Sequence, residues 1–359
     1  MAAKKGAALE EIARAYFQRQ GYFALRSVPY RFEGEEVTDI DVWIYGRQAA
    51  SGRIRAIVDA KDKRSPKALE RVLWTKGLQT TTGSDRAIVV TTDNSPRVNR
   101  FARENRVSIV TKAFLDEFAK SDRGRSDRLT LEGFYDHVNA NKAQKQDGDW
   151  LSQIENVKTS LVTNPGFPAF NTATSAFRFF GEKIETRPLY REQAIRCCYL
   201  TAAVACASLD SALERIVFDD AATKIRAINS GIVFGDTGDG RTQKNLQNVL
   251  HLVAASMENG RALSAQIESS IDSEFKKIRA DIISEYFSKD SHQFSLFSVA
   301  RELEERAHTS LGGDLNGLSI EAKGTLGVFA DFCNVKRSLL FKNSHADHNQ
   351  TTPLRLKLI

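Results

Sequence analysis

Two aspartates and a lysine are the residues of this sequence whose types and spacing could do chemistry. Asp41 lies within the strand-like run TDIDVW (38–43), and Asp59 and Lys61 stand one residue apart at the end of the next, IVDAK (57–61). A strand has a side-chain period of two, so Asp59 and Lys61 project from one face. If the two runs pair as a hairpin, Asp41 can lie beside Asp59. Carboxylates brought together repel unless a cation sits between them. Mg²⁺ takes oxygen ligands and keeps several waters. A lysine beside such an ion can orient or deprotonate a water and offset negative charge in a transition state. That is the equipment for hydrolysing a phosphodiester. A D-x-K triplet alone is common and usually marks a solvated strand end, and Asp39 shares the parity of Asp41, so both acids stay open at this point.

The elements around these residues read as an alternating α/β unit. Residues 7–20 place Leu9, Ile12, Ala13, Tyr16 and Phe17 on one helical face, with Gly21 at the C-cap position. Strands are expected over 22–30, 36–45 and 53–60, the last two joined by a hairpin loop over 46–52. On the second strand Val37, Asp39, Asp41, Trp43 and Tyr45 alternate with Thr38, Ile40, Val42 and Ile44. Pro66 opens a helical stretch to about Gln79. AIVVT (87–91) is an unbroken apolar run, as in a strand covered on both faces. A helix over 97–105, a short strand over 107–110 and a helix over 112–119 close the domain near residue 120.

In this order the motifs resemble the PD-(D/E)xK nuclease superfamily, most of all Mrr-like restriction endonucleases and archaeal Holliday junction resolvases. The resemblance covers residues 6 to about 118. It rests on Gly6-x-x-x-Glu10, Gln20-Gly21-Tyr22, Ile40-Asp41-Val42, Asp59-Ala60-Lys61 and the segment GSDRAIVVTT (83–92), followed by Phe101-Ala102 and VSIV (107–110). It implies a restriction-endonuclease-like mixed sheet flanked by helices. It also implies roles: Asp41 and Asp59 as metal-binding acids, Ala60 as donor of a backbone carbonyl, Lys61 as the catalytic lysine, and Glu10 as the acid completing the metal site. Asp41 is preferred to Asp39 because it follows Ile40, and Glu10 to Glu11 by its spacing from Gly6. Glu11 is expected to be a solvated helix residue. The implied activity is a Mg²⁺-dependent endonuclease, Mn²⁺ substituting, acting on DNA and leaving 5′-phosphate and 3′-hydroxyl ends. Two positions depart from the pattern: no proline precedes Asp41, and the second acid is aspartate rather than glutamate.

Charge agrees with a polyanionic partner. Residues 1–130 hold 25 Lys+Arg against 17 Asp+Glu, a balance of +8, while the rest of the chain carries −2. Cations that neutralise phosphates release counterions, so the basic excess belongs where nucleic acid would bind. Glu10 and Glu11 interrupt what would be the apolar core of a secretory signal, and no apolar run approaches the ~18–20 residues of a membrane span. Cys197, Cys198, Cys206 and Cys333 form no CxxC pair. A cytoplasmic protein with reduced, buried thiols and no membrane partner is expected.

Residues 121–149 are polar and read as a linker with a short ordered piece at 129–138. From Trp150 to the end the pattern is all-helical, in segments near 150–162, 188–218, 242–257, 259–287, 296–309 and 319–342. The stretch 199–218 is nearly apolar, which suits either a self-contained bundle or a homodimer interface. This half offers no chemistry of its own; dimerisation, recognition, or gating within a larger complex such as a bacterial defence system follow by analogy alone. The alternative is a silent nuclease fold that binds nucleic acid or assembles with partners. Of lesser candidates, Gln79 is placed either near the site or as an exposed helix residue, Lys76 and Lys63 either touch phosphate or are solvated, and Trp43 and Trp74 could stack on a base, with core packing favoured. His345, Asp347 and His348 are expected to be solvated, and GDTGDG (235–240) lacks the Lys-Ser/Thr of a phosphate-binding loop.

Overall fold

The computed structural model describes residues 5–62, 67–121, 128–140, 148–235, 241–257 and 259–341. Lys63, Pro66, residues 236–240, and His345, Asp347 and His348 lie outside the described residues. The N-terminal part runs α1 (Lys5–Arg19), β1 (Phe23–Phe32), β2 (Glu35–Arg47), β3 (Arg53–Ala60), α2 (Ala68–Thr82), β4 (Arg86–Thr91), α3 (Pro96–Glu104), β5 (Val107–Thr111) and α4 (Lys112–Ser121). This is the expected order of elements. The sheet order is β1-β2-β3-β4-β5: β1, β2 and β3 form an antiparallel meander, and β4 and β5 add in parallel. Local signals account for the ends. Gly21 takes φ +92 after α1, and Ser95 accepts a hydrogen bond from the Val98 N–H before Pro96 opens α3. Helix α2 starts at Ala68, after Lys67 in the left-handed region at φ +48.

Both faces of the sheet are covered. On one, Leu9, Ala13 and Phe17 of α1 and Leu115 of α4 pack on Ala24, Val42, Ile44, Ala56, Val58 and Val90. On the other, Phe23, Leu25, Trp43, Tyr45 and Ile57 belong to a core that continues into the helical half. Removing this apolar area from water, at roughly 25 cal/mol per Å², is what joins the two halves. Helix α5 (Leu131–Asn139) buries Phe134 and Val138 in the same core.

The helical half comprises α6 (Trp150–Thr163), α7 (Phe167–Thr186), α8 (Arg191–Ala212), α9 (Ala221–Phe234), α10 (Arg241–Ser256), α11 (Gly260–Lys276), α12 (Ala280–Phe287), α13 (Asp290–Ala307), α14 (Ile320–Phe332) and α15 (Arg337–Phe341). Helix α8 is its centre, with residues buried on all sides from Ala194 to Asp210. The apolar run 199–218 therefore largely fills the bundle itself, although Phe218 is 79% exposed. Helices α7 and α9 escape the sequence pattern. Helix α7 begins inside the NPGFP break, and its buried stripe of Phe170, Ala173, Phe177, Phe180 and Ile184 is interrupted by Thr174 and Gly181. At Gly231 of α9 a β-carbon would meet the Phe167 ring at 2.2 Å, so only glycine admits this crossing. The expected helix 259–287 is divided near Arg279 (φ +54), and 319–342 near Asn334 (φ +57). No helix of the described residues is long and apolar enough to cross a membrane.

Candidate active site

The two central strands of the meander part where the acids stand. β2 and β3 pair from Arg47↔Arg53 to Val42↔Val58, and there their ladder ends. One residue further, Asp41 and Asp59 face each other across the opening fork, while β2 continues to pair with β1 and β3 with β4. The Ala60 N–H, without a ladder partner on β2, donates to Asp41 Oδ2 at 2.7 Å. Lys61 reaches across: its Nζ lies 3.0 Å from Asp41 Oδ2 and 3.7 Å from Asp59 Oδ1. On the other side of β2, Ser27 of β1 takes φ +46 between the pairs Arg26↔Val42 and Val28↔Ile40, directly opposite Asp41. Left-handed backbone at a non-glycine residue costs of order 1–3 kcal/mol, and such strain gathers at functional sites. The pleat slips here. Ile40 is buried with Trp43 and Tyr45, whereas Val42 and Ile44 are buried on the other face, so the expected alternation fails at Asp41.

Each acid has a basic partner. Asp59 is 3% exposed and is gripped by Arg71 of α2, whose Nε donates to Oδ2 at 2.7 Å while a second guanidinium nitrogen bonds Oδ1. Glu10 lies on α1 and is bonded by Arg26 Nη2 at 3.1 Å. The same guanidinium, buried inside β1, also bonds Glu11 and, at 2.9 Å, Glu132 of α5. Burial, the Asp59 charge and the Glu10 charge push the Asp41 carboxyl up to about 6, against the pull of Lys61 and the Ala60 N–H. A carboxylic acid that resists ionisation beside a second acid is waiting for positive charge.

Sequence reasoning brings Asp41, Asp59, Ala60 and Lys61 to one place, and the structure puts them there. Glu10 is close enough for its charge to act on Asp41, but it is turned to Arg26. Asp39 is exposed and outside the fork. Two expectations are corrected, for Glu11 and Trp74, and one left open, for Gln79, is decided. Glu11 is not solvated; it is ion-paired inside with Arg14 and Arg26. Trp74 is 38% exposed beneath the Arg71 guanidinium, 4.4 Å from the ring centre, because its position on α2 is at the flank of the stripe that buries Val72, Thr75 and Leu78. Gln79 donates to the Asp85 carbonyl and accepts from Lys76, so both side chains serve the turn before β4. Trp43 is core, as expected, and all four cysteines are free and buried. Arg71 and Arg26 went unnoticed in the sequence: each comes from a different element than the acid it holds, and neither has a motif.

The comparison with protein families identifies what this arrangement resembles. The Mrr_cat family model, described as restriction endonuclease, matches residues 1–119. Residues 1–119 are similar to restriction endonuclease domains. No curated protein and no solved structure matches the chain. Within the nuclease domain the donors that would face a divalent ion are hard oxygens at the fork, which suits Mg²⁺ or Mn²⁺ by type. Among the described residues, however, no three acidic, His or Cys side chains converge as a metal-holding group. Both Asp59 oxygens are bonded to Arg71, and Glu10 is bonded to Arg26.

Proposed function

We propose that the nuclease domain is the catalytic head of a metal-dependent endonuclease that hydrolyses phosphodiester bonds of DNA. The observation that carries this reading is the meeting of Asp41, Asp59 and Lys61 where β2 and β3 part. Asp41, Asp59 and the Ala60 carbonyl would hold Mg²⁺, with Mn²⁺ as a substitute, and Glu10 would join them on leaving Arg26. When bound, the cation supplies Lewis acidity toward a phosphoryl oxygen and lowers the pKa of a water. Lys61, a third exposed and bonded to Asp41, is placed to orient that water and to offset charge growing on the phosphate. The +8 balance of residues 1–130 supplies phosphate affinity. The helical half would serve dimerisation, target recognition or gating by a partner, since cutting both strands needs two sites. A cytoplasmic restriction or defence effector fits this build.

The test is supercoiled-plasmid cleavage in Mg²⁺ by the wild type, Lys61→Ala and Asp59→Ala, with folding checked by circular dichroism. A loss of about 10²-fold or more in each variant is expected, the scale of one preorganised electrostatic group. Equal activity in all three rejects the site. The basic partner of every acid favours a second reading, a silent nuclease fold that binds nucleic acid or assembles with other subunits. Titration with Mn²⁺ separates the two, because a silent fold should not bind it through these carboxylates. Metal binding with cleavage only after a partner is added would mark a gated enzyme.

A further inference from the structure

We infer that Arg71 is the resident counter-ion of the metal site, holding Asp59 while the divalent ion is absent and serving, once displaced, as a ligand for the phosphodiester. The inference rests on the nuclease reading above and adds to it a residue outside the motif. Arg71 takes both oxygens of Asp59, one through Nε at 2.7 Å, so the cation and Arg71 compete for the same lone pairs. The acid is inaccessible, but the arginine is not: Asp59 is 3% and Arg71 22% exposed, so the guanidinium lies on the solvent side of the pair. Trp74, one turn on along α2, seats the guanidinium over its ring and is itself open to solvent. The ring holds the guanidinium by a cation–π contact that does not depend on Asp59. An arginine fork fits a phosphate as well as a carboxylate, because both accept two parallel N–H bonds. Released from Asp59, Arg71 stays on Trp74 at the mouth of the site with its fork free.

The full-length chain is titrated calorimetrically with MnCl₂, without nucleic acid, as wild type, Arg71→Gln and Asp59→Asn. Arg71→Gln is expected to bind Mn²⁺ at least tenfold more tightly than the wild type, and Asp59→Asn not to bind. Trp74→Leu, which removes only the seat, should tighten binding a few-fold. Equal or weaker binding by Arg71→Gln, with the wild type binding and Asp59→Asn not, overturns the counter-ion role and leaves the nuclease reading standing. No binding by any of them removes both. Cleavage kinetics at saturating Mn²⁺ then isolate the second role. Arg71→Gln should lose at least tenfold in kcat, and Arg71→Lys, which keeps the charge without the fork, should recover part of it. An unchanged kcat in Arg71→Gln rejects the phosphate contact.

Discussion

Replacing Asp41 by asparagine should stabilise the protein above pH 6 and leave its stability unchanged near pH 4. Burial and the neighbouring acids raise the folded-state pKa to about 6 from an ordinary 3.8. The folded protein therefore keeps a proton that the unfolded chain gives up between those values, and stability falls as pH rises through that window. The full cost at pH 7–8 is roughly 3 kcal/mol, from about two units at 1.36 kcal/mol each, already net of the attraction of Lys61. About half of it is present at pH 5. Asparagine resembles the protonated acid and can still accept from the Ala60 N–H, so it escapes the penalty. With an unfolding entropy of about 2.1 cal/mol/K per residue over the chain, the gain is on the order of 4 °C in Tm. The assay is metal-free calorimetric melting of both proteins at pH 4, 5, 6 and 8. A difference in Tm that opens across this range with Asp41→Asn on top is expected. A destabilised variant at pH 8, or a difference independent of pH, would refute the electrostatic account of the fork. Saturating Mg²⁺ at pH 8 should narrow the gap, because only the wild type has the charge to gain from it.

Two further substitutions probe the ionic contacts that fix the site to the rest of the molecule. Arg26→Met leaves Glu10, Glu11 and Glu132 facing one another around a buried apolar chain, and a loss of about 3–5 kcal/mol in urea unfolding is expected. Asp210→Asn removes the charge shared by Arg47, Arg53 and the Tyr45 hydroxyl between β2, β3 and α8. A similar loss is expected there, with faster hydrogen exchange in β2 and β3; exchange confined to α8 would show that the contact does not hold the sheet.

What the sequence disclosed of the site was its backbone-borne part. Asp59 and Lys61 are two residues apart on one strand, and Asp41 is on the strand that turns back beside it, so period and pairing alone bring them together. The order of elements was legible for the same reason: apolar spacing in α1 and the unbroken run in β4 are local signals. Arg71 and Arg26 were not legible because their partners depend on how α2 and α1 lie on the sheet, which no local spacing encodes. Trp74 misled because aromatic residues are usually buried, and only the helix's rotation shows that it points outward. Helices α7 and α9 each bury a single stripe, but Thr174 and Gly181 in the one and Lys224 and Gly231 in the other interrupt its apolar character and blur the period.

The pairing of acids and bases has a consequence for how metal and substrate would arrive. Asp41 pairs with Lys61 and Asp59 with Arg71, while Arg26 is shared by Glu10, Glu11 and Glu132. A dication entering such a site must break a desolvated Arg–Asp pair. Its affinity alone should therefore be low. A phosphodiester supplies negative charge, so each should strengthen the other by the same factor. Metal alone would then bind measurably but weakly, and nucleic acid would tighten it by giving the displaced Arg71 a new partner.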